Sequence, residues 1–287
     1  MDTSGGVPTT TSTPLGELRV RPTAHGFVAD LPEYFCINGR GFGGYTAAIA
    51  ALAAARYADG KQLRSLRTVF TRSAETGELD LEVLPLMRGR TACGVQVTAR
   101  QDGEPVVAAL AWFASPGLLP AVGARRSPRH VPRPEDCPRL PWLEKVVPFL
   151  AGFDARAVDF PLTAEEFADS YHDGGTSIAL WAVPRWPDSP GDGLAERLAD
   201  VMLFDAHLMD AAHRDQPRGT VMTSLDLDVT WHVPAGVGSP DATLLEAEAD
   251  ADGLFANTRG TLSDPDGTIR ATGTSQCRMY PPTRSAG

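Results

Sequence analysis

The 287-residue chain runs through one order of elements twice. In the first half, "LGELRVRP" and "HGFVADL" read as strands and lead into an Ala-rich helix from Tyr45 to Arg56. Four strand-like stretches follow it: "LRSLRTVFT", "LDLEVLPLM", "ACGVQVTARQ" and "EPVVAALAWFA". After a Pro- and Arg-rich segment the order recurs. "FDARAVDF" and "SIALWAVPRW" precede a helix from Leu194 to His213, and "TVMTSLDLDVTWHV", "ATLLEAEADAD", "FANTRGTLSD" and "TIRATGTSQCRM" follow it. At a gapless offset of 164, Leu81 aligns with Leu245, Glu82 with Glu246, Gly89 with Gly253, and the hairpin pair Asp102-Gly103 with Asp266-Gly267. A repeat has to be recognised before any fold is argued. One helix followed by consecutive strands with hairpin signals predicts an antiparallel sheet, and so an α+β protein of two similar units.

That order decides how the glycine cluster is read. Gly39, Gly41 and Gly44 spell G-x-G-x-x-G ahead of a helix, with Asp59 placed 20 residues after Gly39. This is the fingerprint of a dinucleotide-binding turn. That turn needs parallel strands alternating with helices, and the hairpins here exclude it. Two uses remain for Gly43 and Gly44. One is close packing where the chain enters the helix. The other is a helix N-terminus whose amides are uncovered and can hold an anion or a developing oxyanion.

With 43% hydrophobic and 22% charged residues the chain can bury a core. A net charge of −10 argues against nucleic acid as a partner. The chain has no apolar run of about 18 residues, and "MDTSGGVPTTTSTP" lacks the regions of a signal peptide. The expectation is a cytoplasmic protein with no membrane partner. Cys36, Cys93, Cys137 and Cys277 form no C-x-x-C pair, and His172 and His232 have no ligand spacing, so no metal or other cofactor is expected. The expected organisation is a disordered tail at 1–14, a first unit at 15–117, an irregular linker at 118–150, a second unit at 151–281 and a tail at 282–287.

The second helix carries the clearest chemical signal. Leu194, Leu198, Val201, Asp205, Leu208 and Ala212 are spaced by four, three, four, three and four residues, one stripe that is apolar except for Asp205. A carboxylate on a core-facing stripe is costly unless paired or hydrogen-bonded, so Asp205 is either a functional group or half of a buried salt bridge. The first helix has no acid between Tyr45 and Arg56.

The motifs "GRGFGGYTAAIAALAAA", "TARQDGEPVVAALAWFASP", "FDARAVDF", "LFDAHL", "MTSLDLDVTWH" and "DPDGTIRATGTSQCRM", in that order, resemble the double-hotdog acyl-CoA thioesterases of the thioesterase II family, from about Leu15 to Met279. The resemblance implies two tandem hotdog units, each an antiparallel sheet wrapped around one long helix. It implies hydrolysis of an acyl-CoA or acyl-carrier thioester by direct attack of water. It places the catalytic Asp at Asp205, the hydroxyl residue at Ser224 and the Gln at Gln276. The oxyanion then needs N–H donors, and the expectation is that the Gly43–Gly44 helix N-terminus of the first half supplies them. The residues themselves support Ser224 and Gln276 less. In "TVMTSLDLDVTWHV" Ser224 shares a parity with Asp226 and Asp228, and in the last strand Gln276 shares one with Thr268, Arg270, Thr272 and Thr274, which are patterns of solvated faces.

Two departures stand out. Ala206 and His207 follow Asp205 where an aromatic and an Asn are common, and "SLDLD" replaces "SLDH". His207 reads either as a helix-surface histidine or as a group that tunes Asp205. The Arg-rich linker (Arg125, Arg126, Arg129, Arg133) reads as solvated, with contact to a CoA phosphate as the alternative. Two rival functions are a non-hydrolytic acyl-thioester binding protein and a hotdog dehydratase or hydratase using Asp205 with His207. Two positions apart on a helix, that pair points in different directions. An open sheet edge makes a homodimer or higher oligomer the expected assembly.

Overall fold

A computed structural model describes residues 10–13, 16–117, 131–146, 148–169, 175–185, 193–214, 216–217, 219–235 and 241–280. Arg125, Arg126, Arg129 and His172 lie outside them.

Among the described residues thirteen strands form one continuous antiparallel sheet. In the first half the spatial order is Gly26–Leu31, Gly77–Arg88, Ala92–Gln101, Glu104–Ala114, Gln62–Phe70. In the second it is Ser177–Pro184, Thr243–Asp252, Phe255–Ser263, Ile269–Tyr280, Asp226–Trp231. In both halves the strand entering the helix lies at the far side and the strand leaving it lies at the centre. The halves join where these central strands pair, Asp226 opposite Val69 and Thr230 opposite Ser65. The repeated Asp-Gly pairs both turn hairpins but in different ways. Asp102 and Gly103 both have positive φ (53° and 82°), a two-residue turn matched to strand twist. In the second half only Gly267 does (84°), because Pro265 starts a longer turn in which Gly267 N–H donates to Asp264 O.

Each half wraps its sheet around one helix, Gly43–Ala55 in the first and Gly193–His213 in the second, and the two helices pack on each other. The first is buried at every residue from Gly44 to Ala55. An all-round apolar helix is what such a central place requires, and its alanines let sheet and second helix approach closely. The second helix is seated by glycines. A Cβ on Gly273 would lie 2.7 Å from the Phe204 ring, and one on Gly260 would lie 2.8 Å from Leu208 Cδ2; the two glycines are cross-strand partners.

Two expectations need correction. Thr10–Thr13 pairs with Gly16–Arg19 as a hairpin, where the sequence read as a disordered tail. In the described part of the Pro/Arg-rich segment Arg133 is exposed, as expected, but the segment is tied to the second half rather than free as a linker. Leu140 N–H donates to Ala155 O, Ala157 N–H donates to Pro138 O, and Trp181 Nε1 donates to Pro132 O at 3.0 Å. The segment lies along the edge strand Phe153–Asp159 and uses backbone groups that would otherwise invite another strand.

Candidate active site

The N-terminus of the first helix meets the side of the second at Asp205. This carboxylate is buried, and its two oxygens face different halves of the chain. Oδ2 accepts Gly44 N–H at 2.7 Å, and Oδ1 accepts the Ser224 hydroxyl at 3.0 Å. Among the described residues no Lys, Arg or His pairs with it. Burial pushes its pKa up to about 6, while the Gly44 amide and the Ser224 hydroxyl, both bonded to the ionised form, pull it back.

Of the two uses weighed for the glycines, close packing is the one seen. A Cβ on Gly43 would lie 2.9 Å from Asp205 Oδ2 and 3.0 Å from the Phe70 ring; one on Gly44 would lie 3.0 Å from Met202 Cα. The absence of side chains is what lets the helices approach, and that approach is what brings the amide to the carboxylate. In this structure the Gly44 amide is committed to Asp205 rather than open to a ligand.

Ser224 reaches Asp205 because its strand changes face. In Val221–Ser224 the even-numbered residues turn inward, Met222 opposite Met279 and Ser224 opposite Cys277. In Asp226–Trp231 the odd-numbered Leu227, Val229 and Trp231 do. Between the pairs Ser224/Cys277 and Asp228/Thr274 the register slips by one residue, a β-bulge at Leu225. The expectation that Ser224 shares a face with Asp226 and Asp228 assumed an unbroken strand, and the bulge overturns it.

Gln276 is not brought to Asp205. On the last strand Ser275, Cys277 and Met279 point inward and are buried, so Gln276 points to the outer face of the sheet. There it is exposed, and its Nε2 donates to Asn257 Oδ1 at 3.0 Å beside Asp226, Asp228 and Thr274. The solvated-face pattern of its neighbours was the correct signal. The inward groups near Ser224 are Ser275 and Cys277, with Oγ and Sγ 3.7 Å apart, and burial pushes the Cys277 thiol up.

His207 is buried and not on the helix surface. Its Nδ1 lies 2.9 Å from Asp210 Oδ2 and its ring meets Phe160 edge-on, so it is held away from Asp205 by its own partners.

The same helix carries buried charge that the stripe did not reveal. Asp200 accepts Trp231 Nε1 at 2.8 Å and an Arg270 Nη2, and Arg270 also donates to Glu196 Oε1 at 2.8 Å. Arg197 donates to Val233 O at 2.9 Å and to Leu63 O, with its guanidinium 5.2 Å from the Trp231 ring centroid. The helix is buried on two sides, against its own sheet and against the first half, so one apolar stripe describes only part of its inner surface. Among the described residues no three His, Cys, Asp or Glu side chains form a metal-ligand group, and no helix is long and apolar enough to cross a membrane.

Residues 31–114 match the acyl-CoA thioesterase N-terminal domain. Comparison with curated protein sequences gives no match. Among solved structures, the tesB protein of Mycobacterium avium subsp. paratuberculosis superimposes with a TM-score of 0.74 at 22% identity, over 91% of this chain and 96% of that one. An acyl-CoA thioesterase II from Mycobacterium marinum gives 0.74 at 20% identity, over 95% and 98%. A protein with a hot dog fold from Alicyclobacillus acidocaldarius gives 0.77 at 19% identity, over 92% and 96%. Residues 31–114 thus resemble an acyl-CoA thioesterase N-terminal domain, and over 91–95% of its length the chain shares the fold of these structures, two hotdog units in one chain.

Proposed function

We propose that this chain hydrolyses an acyl-CoA or acyl-carrier thioester to free acid and thiol, with Asp205 as general base. The observation that carries the reading is a buried carboxylate with no cationic partner among the described residues, held at a helix N-terminus by one amide and one hydroxyl. A carboxylate so placed has a proton affinity near neutrality, suited to taking a proton from water and giving it back. Asp205 accepts the proton as the water oxygen bonds to the thioester carbon, and the carbonyl oxygen becomes an oxyanion. As the C–S bond breaks, the thiolate takes that proton. Ser224 steadies Asp205 and aims the water. The oxyanion is met at the amides and positive dipole end of the first helix, where Gly43 and Gly44 present no side chain. Gly44 N–H passes from Asp205 to the oxyanion as Asp205 turns to the water. Two units, 15–117 and 151–281, thus supply one composite site, and the assembly is a homodimer or higher oligomer of such chains.

Free-thiol release from acyl-CoAs of graded chain length, by wild type and Asp205→Asn, tests this. Turnover lost in the variant while acyl-CoA still binds supports it. Binding without turnover by wild type, on CoA and carrier thioesters alike, points to a binding protein instead.

A further inference from the structure

Ser224 faces Asp205 only because of the bulge at Leu225, and the bulge is held by bonds that neither residue makes. Leu225 N–H donates to Gln276 O at 2.8 Å. Gln276 N–H donates to Asp226 Oδ1 at 2.6 Å, and Ser275 Oγ donates to Asp226 O at 2.7 Å. On the other flank Phe70 N–H donates to Leu225 O at 2.9 Å, so the bulged residue is bonded to the last strand on one side and to the first half on the other. A bulge leaves one residue outside the regular ladder, and without compensating bonds an antiparallel pair tends toward unbroken register. Unbroken register here returns Ser224 to the outer face with Asp226 and Asp228.

We propose that Asp226 and Ser275 are positioning residues of the hydrolytic site: they clamp the Leu225 bulge and so aim the Ser224 hydroxyl at Asp205. This rests on the thioester-hydrolase reading above and deepens it. It also gives Gln276 a part in the site, played by its backbone N–H and C=O. In "SLDLD" the first Asp is the clamp, and the Ser two residues before it is what the clamp aims.

The test combines kinetics with a titration of the Asp205 carboxyl, followed by carbon NMR in the full-length protein. Asp226→Ala lowers kcat about tenfold with KM changed less than about twofold, as expected for a misplaced group that still binds substrate. Asp226→Asn, whose side-chain oxygen still accepts the Gln276 N–H, recovers most of that loss. In the Ser224→Ala background Asp226→Ala costs nothing further, because it acts through Ser224. The Asp205 midpoint rises in Asp226→Ala as it does in Ser224→Ala, since both remove the hydroxyl bond to the ionised form. Ser275→Ala shows the same pattern more weakly and serves if Asp226→Ala does not fold. Additive losses in the double variant, or an unmoved Asp205 titration in both Asp226→Ala and Ser275→Ala, overturn the clamp. If the wild type turns over no acyl thioester, the hydrolase reading fails, and the titration alone still decides whether the clamp exists.

Discussion

Asp200 and Asp205 lie on the same helix, are both buried, and are held by different kinds of partner. At Asp200, burial pushes the carboxyl up and the Arg270 guanidinium opposes it, with Glu196, Thr243 and Trp231 bonded around the pair. At Asp205 no cation among the described residues opposes the burial; a main-chain amide and a hydroxyl do. An arginine keeps its charge at every relevant pH. Burial nonetheless pushes both carboxyls up to about 6, so the contrast lies in what holds the oxygens: a guanidinium at Asp200, an amide and a hydroxyl at Asp205. The lesson is that burial of a carboxylate does not mark a site by itself. On the function proposed above, it is the kind of partner that separates the two acids.

The largest effect that can break this contrast is loss of the base. Asp205→Asn lowers kcat by about 10²- to 10⁴-fold, the usual worth of a positioned general base, as read in a thiol-release assay. The wild-type rate climbs with pH and levels off above about 6 as Asp205 ionises. The linked stability has the opposite slope. Because the folded pKa is raised from 3.8 to about 6, the unfolded chain releases this proton first. The wild type therefore loses stability relative to Asp205→Asn as pH climbs from about 4 to about 6, with no further loss above that. Denaturant melts at pH 4 and pH 7 read this directly. A variant that loses activity without that pH-dependent gain removes the reason for calling Asp205 the uncompensated acid.

Next comes Arg270→Ala, which strands Asp200 without its cation. It costs about 3–5 kcal/mol of stability, as breaking a buried ion pair does, while kcat per folded molecule stays within about threefold. If it instead destroys turnover without lowering the melting temperature, the two acids are not functionally distinct. Gly44→Ala is smaller. Its methyl must displace Met202 or the Phe42 ring, destabilising by about 1–3 kcal/mol as overpacking does. It also moves the amide away from Asp205, so the rate falls with the melting temperature. Smallest is Gln276→Ala, which changes kcat by less than about twofold because only its backbone serves the site. A hundredfold loss there would show that the last strand turns over in the working enzyme.

Much of this was legible in the sequence because it depends on local pattern. The hairpin of Asp102 and Gly103, both helices and the repeated order follow from turn chemistry and periodicity, and Asp205 stood out as the one charge on an apolar stripe. Period-2 reasoning then failed for Ser224 and held for Gln276. It assumes a continuous strand, and a one-residue bulge reverses every face on one side of it. No local signal in "MTSLDLD" announces that bulge, since the bonds that hold it come from Ser275 and Gln276, some 50 residues away. The Arg270–Asp200 network was hidden for a related reason. A helix pressed between two layers has two inner faces, and a single-stripe reading sees one. The burial of His207 follows from the same geometry.

The bond from Gly44 to Asp205 joins residues 161 positions apart and from different halves. In separate hotdog chains such a meeting would be an association, diluted away at low concentration. Tethered in one chain it is intramolecular, with an effective concentration in the millimolar range for a flexible link. The central strand pairing then holds it more firmly still. With the single composite site proposed above, the first helix needs no acid between Tyr45 and Arg56.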